Sequence, residues 1–240
     1  MRARQRHLNP KAAGASVVFD SRYITGLSDG SNVTSWSDRS GNANNATNTS
    51  NYPTYETDGQ GGNPVVRFVA ASTTNLACST YAYSGTSQKF VMVAYKSTDV
   101  SATYANTAAG QSGAGNTGGW FSIMSRKLTG SVSDPYVATF GGDTQVGKSN
   151  PDNLWKVATG AHDGTNLYTR KNCVQIDSVA RTSNVNTSVF RIGVGDYIGT
   201  LIEAFQGDIA YIAAGHITYA LPLIRRLEHA MGLSFKIACS

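Results

Sequence analysis

Apolar and polar residues alternate most clearly between residues 155 and 177, where the pattern predicts a long β-hairpin. Val157, Thr159 and Ala161 share one phase of a two-residue period, which is the period of a β-strand. The same period resumes after Asp163-Gly164, a dipeptide that supplies the positive backbone torsions of a tight turn. The sequence therefore predicts two paired strands here, entered by Trp155.

Other strands are predicted wherever short apolar runs are bounded by Gly, Asp, Asn or Ser. These runs are residues 16–20, 33–36, 64–69, 88–96, 120–124, 136–140, 190–194 and 205–212. Their phase predicts a set of buried side chains, namely Trp36, Phe68, Val91, Val93, Trp155, Ile192 and Ile209. Residues 41–62 and 104–119 are rich in Asn, Thr, Ser or Gly, and we expect long loops there.

The end of the chain changes to a helical period. Leu223, Leu227, Ala230 and Met231 fall on one face of a predicted helix over residues 221–231, and Gly232 fits a left-handed helix stop. No helical pattern interrupts the strands before this point. The pattern therefore predicts an all-β fold that ends in one short helix.

Composition supports a single β domain. Only 15% of the 240 residues are charged, and the length suits one large sandwich with an ample core. The formal charge is +5, but four basic residues precede the first acid, which leaves 16 basic residues (20 minus 4) against 15 acids. We expect a basic arm at residues 1–15 and a nearly neutral domain at residues 16–240, without a phosphate-binding face for nucleic acid.

The three cysteines, Cys78, Cys173 and Cys239, are an odd number without metal-binding spacing. We expect them to be buried thiols. No run is long and apolar enough to cross a membrane, and the basic arm lacks the apolar core of a signal peptide. The expected place of synthesis is the cytoplasm, without classical export.

Three stretches together resemble the laminin-G-like, concanavalin A-like lectin and glucanase superfamily. They are the Trp-entered hairpin, the segment 36–46 followed by residues 64–68, and residues 205–212 before the terminal helix. They occur in the order of that family, although Arg170, Lys171 and Asn172 stand where it usually has an Asn-Gly turn. The resemblance implies a two-sheet antiparallel jelly-roll sandwich with a short C-terminal helix.

The acidic residues argue against hydrolysis. Glycosidases of this fold carry two or three carboxylates on one face of a single strand, as nucleophile and general acid. Only Glu56 and Asp58 have that spacing, and both fall in the predicted loop 41–62. The sequence therefore predicts no catalytic residues and no enzyme activity, and a glycoside hydrolase is the least favoured of the alternatives.

Candidate ligand-binding residues cluster in two predicted loops. A sugar site needs an aromatic ring against the apolar face of the sugar, together with polar groups for its hydroxyls. The candidates are Tyr104, Asn106, Asn116 and Trp120 around the loop 104–119, with Asp196 and Tyr197 in a second loop. Trp120 fits a core strand equally well.

Members of the resembled family often bind calcium at the sandwich rim through loop carboxylates and amides. Asp38, Asn42 and Asn44 are the matching group in this sequence. The alternative is a turn in which Asp38 bonds its own backbone. No other cofactor is expected.

Two functions stay open at this point. The first is a noncatalytic, lectin-like module that binds a glycan or a cell-surface polysaccharide. The second is a decoration, fibre or spike subunit on the surface of a phage virion, which the basic arm would join to neighbouring subunits. The two are compatible, and neither involves a membrane.

Overall fold

Two antiparallel β-sheets pack face to face in the computed structural model, and a C-terminal helix covers the outer face of one of them. The structure describes residues 14–78, 80, 82–99, 105–111, 119–128, 131–139, 152–197, 200–216 and 221–239. Within these residues the predicted all-β sandwich with one terminal helix is confirmed. No helix among them is long and apolar enough to span a membrane.

The sheet beneath the helix is called the helix-side sheet. Its strands are β1 (Ala15–Asp20), β4 (Thr54–Glu56), β5 (Val65–Phe68), β7 (Lys89–Ser97), β11 (Lys156–His162), β12 (Asn166–Lys171), β13 (Val174–Ala180) and β17 (Gly207–His216). They follow the order β13-β12-β11-β7-β17-β5-β4, and β1 also pairs with β17.

The opposite sheet is called the hairpin-side sheet. Its strands are β2 (Ser35–Trp36), β3 (Ala46–Thr47), β6 (Leu76–Cys78), β8 (Ala105–Gln111), β9 (Phe121–Leu128), β10 (Ser131–Ala138) and β14 (Phe190–Ile192). They follow the order β10-β9-β8-β14-β6-β3-β2. A separate hairpin of β15 (Gly195–Tyr197) and β16 (Thr200–Ile202) contacts this sheet, and short 3-10 turns occur at Ser21–Tyr23, Gln60–Gly62 and Ala70–Ser72.

The hairpin predicted from the sequence is present as β11 and β12. The Asp163 carboxylate holds its turn, accepting the backbone N–H of Thr165 at 2.8 Å and of Asn166 at 2.6 Å, and the Tyr168 hydroxyl at 2.6 Å. Burial alone would raise the pKa of Asp163, but these hydrogen bonds lower it to about 2. The carboxylate therefore fixes the turn over the whole physiological pH range.

The main core lies between the two sheets. Six of the seven side chains predicted to be buried are in it and at most 1% exposed: Trp36, Phe68, Val91, Val93, Ile192 and Ile209. The prediction for Trp155 is wrong. Its side chain is only partly buried, and it packs against the second core between the helix-side sheet and the helix.

The helix α1 (Leu221–Phe235) extends beyond its predicted end. Gly232 lies inside it rather than at its stop. Glycine suits this position, because a Cβ would meet Ile237 O at 2.9 Å and Cys239 Sγ at 3.0 Å. A buried ion pair joins the helix to β12, where Arg170 Nε donates to Glu228 Oε1 at 2.9 Å. Both side chains are at most 1% exposed, so each charge depends on the other.

The cysteine prediction is corrected by a disulfide. Cys173 and Cys239 are bonded and lie 66 residues apart, whereas Cys78 is a free, buried thiol as expected. Cys173 occupies the two-residue turn between β12 and β13 with Asn172, and both have positive φ, 72° and 49°. That pair of torsions is typical of a tight hairpin turn, for which Asn-Gly is the usual sequence. The disulfide fixes the segment after the helix to this turn.

Candidate functional site

The outer face of the hairpin-side sheet carries one continuous row of mostly small residues. Strand register places them opposite one another from β10 to β2, in the order Ala138, Ser122, Gly110, Arg191, Ala77, Thr47 and Ser35. Their strand neighbours, such as Val137, Phe121 and Ile192, belong to the main core. Because side chains alternate along a strand, the row faces away from that core.

The row has a covered half and an open half. Ala138, Ser122 and Gly110 are buried, and a Cβ on Gly110 would lie 2.4 Å from the Ser122 Cα, so no side chain fits there. Arg191 and Ala77 are half-buried, whereas Thr47 and Ser35 are exposed. The four residues Arg191, Ala77, Thr47 and Ser35 are called the open strip. A ligand there can approach the sheet closely, because three of the four side chains are short.

An ion pair closes one end of the open strip. Arg191 on β14 donates from Nε to Asp196 Oδ2 at 2.9 Å, and its Nη2 lies 2.8 Å from the same oxygen. Their side chains are 20% and 13% exposed. The ion pair engages Nε and Nη2, so Arg191 Nη1 lies outside it. The pair therefore presents guanidinium N–H groups and a carboxylate side by side at the edge of the strip.

The β15–β16 hairpin that carries Asp196 is fixed against this face. Thr107 on β8 donates its backbone N–H to Glu203 O at 2.8 Å, and its hydroxyl to Glu203 Oε2 at 3.3 Å. Gly195 also lies directly against the Thr107 hydroxyl and Glu203. These contacts make the hairpin a wall along the face rather than a loose loop. Tyr197 lies near its tip, and only its backbone is described.

The predicted loop candidates have different outcomes. Trp120 is 4% exposed and packs with Met124, Ala138 and Ile202 on the outer face, so it supports the hairpin and presents no flat ring to solvent. Asn106 is 6% exposed, because residues predicted as loop form the strand β8 instead. Tyr104 and Asn116 lie outside the described residues.

Two of the predicted groups converge on one face. Trp120 packs against Ile202 of the hairpin, and Asp196 on the same hairpin binds Arg191. Arg191 itself was missed. The signal for it was present, since Arg191 stands between core residues Phe190 and Ile192 and must point outward, five positions before Asp196.

The predicted calcium group is brought together by the structure. Each Asp38 carboxylate oxygen accepts two hydrogen bonds, Oδ1 from the N–H groups of Val18 and Ser40, and Oδ2 from the Ser40 hydroxyl and the Asn44 N–H. The side-chain amides of Asn42 and Asn44 both donate to Ser16 O, each at 3.0 Å. This geometry matches the alternative of a self-bonded turn that anchors β1. Calcium binding here stays a prediction.

A second group of possible metal ligands contains both cysteines of the disulfide. Cys173, His229 and Cys239 offer ligand atoms within 4.8 Å of one another, a group that stands out among the described residues. The two sulfurs are bonded to each other, however. Because metals bind the free thiolate, the oxidised form lacks the cysteine ligands that such a site needs.

The sequence matches no protein-family model and no curated protein. Solved structures, in contrast, match the fold. Domain 4 of AbnA, a GH43 extracellular arabinanase from Geobacillus stearothermophilus, in complex with arabinotriose, superposes with a TM-score of 0.63 at 16% identity. The match covers 90% of this chain and 98% of that domain.

Two further matches belong to larger proteins. An arabinofuranosidase complexed with arabinofuranosyl-alpha-1,2-xylobiose has a TM-score of 0.63 at 13% identity, and the match covers 85% of this chain. The binding domain of Paraclostridial Mosquitocidal Protein 1 has a TM-score of 0.63 at 11% identity, over 92% of this chain. This chain spans about half of each of those structures, 51% and 53%. At these identities the matches show a shared β-sandwich fold and do not single out the concanavalin A-like family.

Proposed function

We propose that this chain is a noncatalytic glycan-binding module whose binding surface is the open strip of the hairpin-side sheet. The observation that carries the proposal is the Arg191–Asp196 pair at the edge of a strip of short side chains. A sugar ring can lie close to such a strip, while its neighbouring hydroxyls donate to the carboxylate and accept from the guanidinium. The hairpin wall fixes Asp196 in position before the ligand arrives, which reduces the entropy cost of binding.

The solved structures support this class of function. The arabinanase domain contains arabinotriose, and the toxin match is a binding domain by name. Neutral sugars are therefore the first ligands to test, because Arg191, the one cation of the open strip, is paired with Asp196.

The positions of the acids support a noncatalytic role. Glu56 lies on β4, not in a loop as predicted, and its carboxylate accepts the Thr54 hydroxyl at 3.0 Å and pairs with Arg67 at 3.0 Å. It therefore belongs to an ion-pair cluster with Asp208 on the helix-side sheet. Asp58 is exposed in the following loop. The spacing of these two acids does not place them as a catalytic pair on one strand.

The test is a binding measurement by calorimetry with a panel of neutral oligosaccharides that includes arabinotriose. We expect at least one to bind, and Arg191→Gln and Asp196→Asn each to weaken it about tenfold, since a hydrogen bond to a charged group contributes about 1.5–3 kcal/mol. Arg67→Gln is the matched control, because it breaks an ion pair on the other sheet. Unchanged affinity in both strip variants, or no binding to any sugar, would reject the proposal.

A further inference from the structure

A cavity lies on the side of the molecule opposite the open strip, between the helix α1 and the strands β1 and β17 of the helix-side sheet. Its volume is about 470 Å³, and among its lining residues are Arg22, Tyr23, Arg39, Tyr211, Arg226 and Phe235. Small-molecule sites typically have volumes of about 300–1,000 Å³. This cavity, called the arginine pocket, is therefore large enough for a ligand of one or two sugar rings or a short aliphatic chain.

The acidic residue among the described lining residues is already neutralised. Asp20 accepts from Arg22 Nε at 2.9 Å and from Arg22 Nη2 at 2.6 Å, so the two side chains form a bidentate pair. The hydrogen bond from Arg22 to Asp20 raises the pKa of the guanidinium, and the Arg22 Cζ lies 4.8 Å from the centre of the Phe235 ring. This pair is part of the wall of the pocket and leaves no net charge.

Two further arginines keep their charge. Arg39 and Arg226 are exposed, and neither forms an ion pair with a described residue. Arg39 is held in place, because its backbone N–H donates to Val18 O at 2.7 Å and its Cζ lies 4.2 Å from the centre of the Tyr23 ring. A guanidinium stacked on a ring keeps its N–H groups free at the edge, where they can bind an oxyanion.

The inner part of the pocket is apolar. Leu227, Met231 and Phe235 of the helix are nearly or fully buried and line it together with Val18 and Ala213 of the sheet. Burial raises the pKa of the Tyr211 phenol, so this residue stays neutral and adds no repelling anion. The pocket thus combines an apolar floor with two unneutralised cations.

We propose that the arginine pocket binds an organic carboxylate, with its apolar body against the floor and its carboxylate on Arg39 and Arg226. A carboxylate accepts two parallel N–H bonds from a guanidinium, a geometry that a neutral hydroxyl cannot match. The basic arm of this chain, with Arg2, Arg4, Arg6 and Lys11, has the wrong charge to be the occupant. This site is independent of the open strip, since it lies on the other sheet.

The probes are glucuronate and octanoate, which separate a sugar acid from an aliphatic acid, with methyl glucoside and octanol as their neutral counterparts. Calorimetry of the whole chain should detect binding of at least one of the two carboxylates, and about tenfold weaker binding of its neutral counterpart. Added sodium chloride should also weaken binding of the carboxylate, because salt screens exposed charges.

Variants locate the site. Arg39→Gln and Arg226→Gln should each lower the affinity for the carboxylate about tenfold, whereas Arg225→Gln should leave the affinity unchanged. Arg225 is the matched control, since it is exposed on the same helix and does not line the pocket. The proposal is overturned if neither carboxylate binds, if the neutral counterpart binds equally well, or if Arg225→Gln causes the same loss. Arabinotriose binding and its loss in Arg191→Gln are separate readouts, so either proposal can fail alone.

Discussion

At the scale of single residues, the candidate site depends on partners that are distant in sequence. Arg191 gains its role because Gly110 and Ala77 lie on either side of it in the sheet and leave room above them. The sequence indicates that Asp196 follows a strand, but the long-range pairing that places a glycine beside Arg191 has no local signal. For Trp120 the sequence left a ligand platform and a core strand equally open, and the structure packs the ring against Met124, Ala138 and Ile202.

Lys89 carries a prediction at this scale. Its side chain is fully buried, and Nζ donates to Gly85 O at 2.9 Å and Ser183 O at 3.3 Å. Burial lowers the pKa of Lys89 to about 8, whereas an unfolded lysine has a pKa of about 10.4. Between these pH values the unfolded chain binds a proton that the folded chain lacks, so stability rises with pH.

Urea unfolding at pH 7, 9 and 10 checks this, with Lys89→Met as reference. The free energy of unfolding of the natural chain should increase relative to the variant as pH rises through this window. His162, a strand neighbour of Lys89, does not interfere, because burial lowers its pKa below the ordinary histidine value, outside this window. A pH-independent difference between the two proteins would show that Lys89 keeps an ordinary pKa.

At the scale of elements, strands with strong local patterns were predicted and weak ones were not. Strands β5 and β7 come from residues 64–69 and 88–96, which are rich in Val and aromatic residues. The β11–β12 hairpin comes from residues 155–177, where apolar and polar residues alternate. Strands β3 and β8 consist largely of Ala, Asn, Thr and Gly, β6 is only the tripeptide Leu-Ala-Cys, and the β15–β16 hairpin follows no local pattern. Tertiary pairing determines these strands, because they are very short or contain Ala, Asn and Gly, which are depleted in strands.

The disulfide links the segment that follows the terminal helix to the β12–β13 turn, and its presence can be tested by thiol labelling. Without reductant, the denatured protein should label with a thiol reagent once, at Cys78, and all three cysteines should label after reduction. A cross-link over 66 residues is expected to contribute about 4 kcal/mol to stability, so Cys239→Ser should unfold at lower urea concentration. Labelling of three thiols without reductant would contradict this.

At the scale of the whole molecule, the sandwich has two outer faces with different chemistry. The helix covers one face and forms the cationic arginine pocket with it, while the β15–β16 hairpin packs on the other face beside the open strip, whose one cation is paired with Asp196. The sequence predicted the sandwich but not this division, because it depends on where the helix and the hairpin pack. Residues 1–13 lie outside the described residues, so anchoring through the basic arm to a virion-like assembly stays a prediction.

The most direct test of the central claim is a crystal structure of this protein with the neutral oligosaccharide of the panel that binds most tightly. We expect the sugar to lie on the open strip, with hydroxyl oxygens within hydrogen-bond distance of the Arg191 guanidinium and the Asp196 carboxylate. The ion pair itself should remain intact, since each partner keeps the other oriented. A sugar bound in the arginine pocket or elsewhere on the helix side, with the open strip empty, would contradict the account.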